Sequence, residues 1–204
     1  MENLYSKKHL AAVVSFQEPL DKLRSCLKSL SSWVPEVIVV VRDNENSAKR
    51  IIEEFKMSIC IHSVTSTSAQ WECGLAQTNS SWVLLVNSNE IITGQLRKSI
   101  VEKTKVCLDN PCKFALSPTI IFLKKRLKYS LDWHDSQPSY LTYLSKNVST
   151  IQTLKTNNFL FEGELIRHNE DTLADCTNAV INKANKRAEH LGKVLTKSNA
   201  YFLF

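Results

Sequence analysis

The chain predicts an α/β fold: a mainly parallel central sheet with helices on both faces, then an irregular C-terminal half that ends in a helix. Three observations predict it. Short unbroken apolar runs at Leu10–Ser15, Val37–Val41 and Trp82–Val86 read as strands buried on both faces. The segments between them place apolar residues three and four apart, the spacing of a helix with one buried stripe. Strand and helix alternate through the first half, as crossover connections in a parallel sheet require.

The elements follow in order. LAAVVS forms the first strand, and Leu20, Leu23, Leu27 and Leu30 recur at helical spacing after it. Pro35 breaks the chain before the β-branched run Val37–Val41. Asn46 and Ser47 can cap a helix whose apolar face is Ile51, Ile52 and Phe55. A weaker strand spans Ile59–Val64, a short helix Ala69–Ala76, and the strand Trp82–Val86 follows. Thr93 can cap a helix running through Leu96, Ile100 and Val101. After Lys113 the pattern changes to strand-like runs at Phe114–Ser117, Thr119–Leu123 and Tyr140–Leu144. A last helix is expected from near Asn169, with Leu173, Thr177, Val180, Ala184, Ala188 and Leu191 on one stripe and Gly192 as its stop.

With 204 residues the chain suits one large domain, or one domain with an extension. Hydrophobic residues at 43% and charged residues at 23% are ordinary globular usage, which argues against disorder. The net charge of +6 favours anionic partners such as nucleotide-sugars, phospholipid head groups or nucleic acid, or reflects a mildly basic solvated surface. No tract of five like charges and no recognition-helix or RNA-binding signature occurs, so nucleic acid is not expected. Cys26, Cys60, Cys73, Cys107, Cys112 and Cys176 lie mostly in apolar runs without a CxxC, and read as buried free thiols of a reducing compartment. MENLYSKKHL lacks an apolar signal core, and no run reaches the ~18 apolar residues that span a bilayer. A cytoplasmic location is expected, with contact to the inner membrane face through the apolar end Ala200–Phe204 as one reading of that segment.

In an open parallel sheet, ligands bind beyond the carboxyl ends of the strands. Those ends carry Ser15-Phe16-Gln17-Glu18, Arg42-Asp43-Asn44-Glu45-Asn46 and Asn87-Ser88-Asn89-Glu90, three polar clusters brought to one edge. Only Gly74, Gly94, Gly163 and Gly192 occur, so a Rossmann dinucleotide loop or a P-loop is excluded. Trp71 and Trp82 read as core.

The same clusters carry a resemblance. AVVSFQEPLDKLRSCLKSL looks like the first strand and helix of family 2 glycosyltransferases, with Gln17-Glu18 where that family places Asn-Glu. PEVIVVVRDNENSAKRIIEEF resembles the second unit, in which an Asp and a glycine-containing loop follow the strand. SAQWECGLAQTNSSWVLLVNSNEIITGQLRKSI is similar to the third, with Gln70 and Leu75 where the pattern puts them. The branch most similar builds lipopolysaccharide cores and typically reads Asp-Ala-Asp-Glu where this chain has Asn87-Ser88-Asn89-Glu90. LDWHDSQPSYLTYLSK and FEGELIRHNEDTLADCTNAVINKANKRAEHL resemble that branch's tryptophan-acidic segment and final helix.

The resemblance covers roughly residues 10 to 195 and implies an A-type glycosyltransferase domain over 1–204. Residues 10–112 would be its nucleotide-binding-like half and 113–204 its acceptor side with the C-terminal helix. It implies inverting transfer of a sugar from a nucleotide-sugar donor to a saccharide or glycolipid acceptor. Asp135, beside Trp133 and His134, is the candidate base; Glu18, Asp43, Gln70 and His168 are the candidate substrate contacts. A divalent cation, Mn or Mg, would sit at Asn87, Asn89 and Glu90. Asn87 and Asn89 offer only neutral carbonyl oxygens where a hard cation wants anionic ones, so metal affinity is expected to be weakened. The alternative is a catalytically degenerate relative that binds a nucleotide or a partner.

Overall fold

The computed structural model describes residues 10–16, 19–63, 66–106, 110–122, 124–126, 139–144, 153–169, 177 and 181. It is a mixed α/β structure around a central, mostly parallel sheet. The first half follows the expected alternation: β1 (Leu10–Ser15), α1 (Leu20–Leu30), β2 (Glu36–Val41), α2 (Asn46–Glu54), β3 (Ser58–Ile61), α3 (Thr67–Leu75), β4 (Trp82–Asn87), β5 (Glu90–Ile92) and α4 (Gly94–Thr104). The second half adds β6 (Cys112–Leu116), β7 (Pro118–Phe122), β8 (Lys125–Arg126), β9 (Ser139–Tyr143), β10 (Lys155–Asn157) and β11 (Leu165–His168).

Seven strands lie in the order β10-β6-β9-β4-β1-β2-β3. All run parallel except β9, which enters antiparallel between β4 and β6. A second sheet, β5-β11-β7-β8, starts in the residues just past β4.

The pleat sorts the core into two layers. Ala12, Val14, Val39, Val41, Leu84 and Val86 face one way and bury the apolar stripes of α1, α2 and α4: Leu23, Leu27 and Leu30, Ile51 and Ile52, and Leu96 and Ile100. Val13, Ile38, Val40, Val83 and Leu85 face the other way, onto Trp71 of α3. Gly74 makes that second approach close: a Cβ there would stand 2.3 Å from Cγ1 of Val13 and 3.1 Å from Cγ2 of Val40. Trp71 and Trp82 are core residues, both fully buried, and the Trp71 indole N–H donates to the Val86 carbonyl at 3.1 Å.

Local expectations are corrected at a few points. Asn46 and Ser47 do not cap α2; Glu45 is its N-cap, without a side-chain cap bond, and Asn46 begins the first turn. Thr93 does cap α4, accepting from the Leu96 amide at 3.4 Å, and Ser66 caps α3 in the same way. β3 stops at Ile61 rather than running on to Val64. The short strands β5, β8, β10 and β11 were not expected; at two to four residues each, they are too short for their alternation to stand out in the sequence. The final helix lies outside the described residues apart from Thr177 and Ile181, both helical. No helix among the described residues is long and apolar enough to cross a membrane.

Candidate functional site

The carboxyl ends of β1, β2, β3 and β4 emerge at one edge of the sheet. Ser15 pairs in register with Val40 of β2 and Asn87 of β4, so the loops after β2 and β4 leave from the same level. They are separated by β1, roughly 10 Å at ordinary strand spacing. Glu18 and Asp135 lie outside the described residues.

On the β2–β3 side the edge opens into a cleft of about 530 Å³, lined by Arg42, Asp43 and Asn44 after β2 and by Ile61, His62 and Ser63 around the end of β3. The Asp43 side chain is 88% exposed, and its carboxylate takes an ion pair from Lys49 at 3.1 Å. Lys49 also donates to the Asp43 main-chain carbonyl at 2.6 Å, which fixes the turn that presents the carboxylate. Arg42 pairs with Glu45 at 2.6 Å. Ile61 is half exposed and gives the wall an apolar surface beside these polar groups.

The β4–β5 side is built differently. Glu90 is 1% exposed and its carboxylate is saturated. Oε1 accepts from Nε and Nη2 of Arg167 at 2.8 and 2.6 Å, and Oε2 accepts from the Asn87 amide at 2.8 Å and the Ser139 hydroxyl at 2.5 Å. An ionised carboxylate has about four lone-pair positions, and all four are used. Arg167 is itself buried, and stands opposite Glu90 in the β11–β5 ladder. The carboxylate thus ties the end of β4, the start of β9 and the second sheet into one knot.

Asn89 continues the knot. Its Nδ2 donates to the His168 carbonyl at 3.1 Å and its main-chain carbonyl accepts from the His168 amide at 2.9 Å. Asn89 Oδ1 is buried without a hydrogen-bond partner. Asn87 is 5% exposed, and the Cys26 thiol donates to its main-chain carbonyl at 3.6 Å. Burial, reinforced by the nearby Glu90 carboxylate, pushes that thiol well above the ordinary range. Gln70 is buried under the end of β1, where its Oε1 accepts from the Ser15 hydroxyl.

This arrangement bears on the cation the resemblance implies. A divalent ion needs anionic oxygen with free lone pairs, and the one carboxylate of the Asn87–Glu90 turn has none left. The orphaned Asn89 Oδ1 is a single neutral donor atom. No group of three or more His, Cys, Asp or Glu that could hold a metal occurs among the described residues. As folded, these residues do not fit a divalent cation.

The structure therefore separates the expected site residues. Asp43 stands in the open cleft, whereas Asn87, Asn89, Glu90 and the main chain of His168 form the buried knot, with Gln70 beneath the sheet end. Sequence reasoning missed Arg167 and Ser139, which hold Glu90, and Ile61 and His62, which wall the cleft. The one available signal for Arg167 was its place in Leu-Ile-Arg-His, on the buried phase shared with Leu165.

No protein-family model matches the chain, and no curated protein matches it. Solved structures do. The chain is similar to Staphylococcus aureus TarS residues 1–349 in complex with UDP-GlcNAc, at 12% identity and a TM-score of 0.53, over 82% of this chain and 60% of that one. The same protein in complex with UDP gives 12% identity and a TM-score of 0.52, over 78% and 60%. The chain thus spans 60% of the length of the fragment it matches. The likeness shows the fold alone, a mixed α/β fold shared with that protein.

Proposed function

We propose that this chain binds the nucleotide part of a nucleotide-sugar in the cleft between the ends of β2 and β3, as the donor side of a glycosyltransferase. The observation that carries the reading is the cleft itself: about 530 Å³, at the carboxyl edge of a doubly covered parallel sheet, with an exposed carboxylate and an apolar wall. Ile61 offers a surface to the plane of a base. Asp43 and Asn44 offer hydrogen-bond partners to ribose hydroxyls or a base edge, and Arg42 offers positive charge toward phosphate. The S. aureus fold neighbour solved with UDP and UDP-GlcNAc supports the same class of donor.

In this reading the acceptor is a saccharide or glycolipid, met at the inner membrane face, and transfer inverts the anomeric centre. Asp135 is the base and residues 113–204 form the acceptor side of a single domain. The affiliation is with family 2 and its lipopolysaccharide-core branch, on the succession of motifs given above. The saturated Glu90 carboxylate means that donor binding proceeds without a cation held by Glu90.

That same carboxylate favours a second reading, a relative that binds the nucleotide-sugar without transferring it. Titrating UDP-, GDP- and CDP-sugars by calorimetry, UDP-GlcNAc first, tests the shared part. One class should bind, and Asp43→Ala should weaken it. Failure of every donor to bind at millimolar concentration sinks both readings. Mass spectrometry of saccharide acceptors incubated with the bound donor then separates them, since the second predicts no transfer.

A further inference from the structure

Cys60 on β3 and Cys73 on α3 bring their sulfurs to 2.9 Å, closer than unbonded sulfurs ordinarily pack. Cys60 is fully buried within the Val13, Ile38, Val40 and Trp71 layer, whereas Cys73 at its rim is partly exposed. Of the other described cysteines, Cys26 lies in the opposite layer and Cys112 on β6. We infer that Cys60 and Cys73 are an oxidisable dithiol, a modification site at which a small-molecule disulfide cross-links β3 to α3.

The order of events follows from exposure. Cys73, the accessible thiol, exchanges with the disulfide RSSR to give Cys73–S–SR and one RSH. Cys60, already in contact, then attacks the Cys73 sulfur, forms the internal S–S bond and expels the second RSH. Two protein thiols are oxidised and one RSSR is reduced to two RSH, so electrons and protons balance. Burial and the neighbouring thiol push Cys60 up to about 12, which makes this second step slow and favours it at alkaline pH. Because Ile61 and His62 follow Cys60 directly, the cross-link holds the cleft's β3 wall against the helix that packs on β1 and β2.

The test incubates the full chain with oxidised glutathione at pH 8.5, then alkylates free thiols and maps peptides by mass spectrometry. The expected product lacks two hydrogens and yields a Cys60–Cys73 linked peptide. Its Tm should rise by on the order of 5–10 °C and return to the starting value with dithiothreitol. Cys60→Ser should stop at a stable glutathione adduct on Cys73. A wild-type chain that retains the adduct on Cys73, pairs Cys73 with another cysteine, or keeps both thiols free would overturn the inference. These readouts require no nucleotide, so they stand apart from the function proposed above.

Discussion

Two stretches of one sheet edge have taken opposite courses. After β2 the chain turns outward, and Asp43 is held at the surface by Lys49, six residues on in α2. After β4 it turns inward, and Glu90 is taken into the protein and matched, lone pair for lone pair, by Arg167, Ser139 and the Asn87 amide. Both loops leave parallel strands at the same level, so topology alone does not set the difference. What differs is the second sheet, which begins at Glu90 itself and supplies the buried guanidinium. A carboxylate at a strand end is a ligand site only if nothing in its own fold has already claimed its oxygens.

Breaking the knot should produce the largest effect. Arg167→Met leaves Glu90 as an uncompensated buried charge and should cost about 3–5 kcal/mol in urea unfolding. Glu90→Gln combined with Arg167→Met should cost clearly less than the sum of the single changes, because neither residue then leaves a lone charge behind. Additive losses would show that the two do not act as a pair.

The cleft should behave the other way. Asp43 is exposed and carries little of the fold, so Asp43→Ala should change stability by no more than about 0.5 kcal/mol. Nucleotide-sugar affinity should fall by roughly tenfold, the value of one charged hydrogen bond. A large stability loss with unchanged affinity would reverse the assignment of the two regions.

Most of the first half was legible because β1, β2 and β4 are runs of about five apolar residues and α1 and α2 carry clear apolar stripes. Such patterns need no information from elsewhere in the chain. The three polar clusters and their common edge followed from the same alternation. The Glu90 knot was not legible, since Arg167 lies 77 residues from Glu90 and Ser139 lies 49 away. Read alone, NSNE looks like a weakened acidic motif; only the β5–β11 pairing shows where its one charge goes. The insertion of β9 between β4 and β6 was hidden too, because Tyr140–Leu144 states a strand but not its neighbours.

A smaller effect should appear with pH. Burial raises the Cys26 thiol beneath the knot above its ordinary value of 9.0, so the folded state holds that proton more tightly than the unfolded one. The associated stability is complete below pH 9 and is lost as pH climbs above it. Tm should therefore decline from pH 9 to 11, and decline less steeply in Cys26→Ala. An identical slope in both proteins would place the alkaline sensitivity elsewhere.

At issue is whether the open side of the edge binds the nucleotide while the buried side has no carboxylate oxygen to spare for a cation. Calorimetric titration of the best nucleotide-sugar, in manganese and again in excess chelator, addresses it directly. The two dissociation constants should agree within about threefold, corresponding to some 0.65 kcal/mol. Binding that strengthens more than tenfold with manganese, and loses that gain in Glu90→Gln, would contradict it.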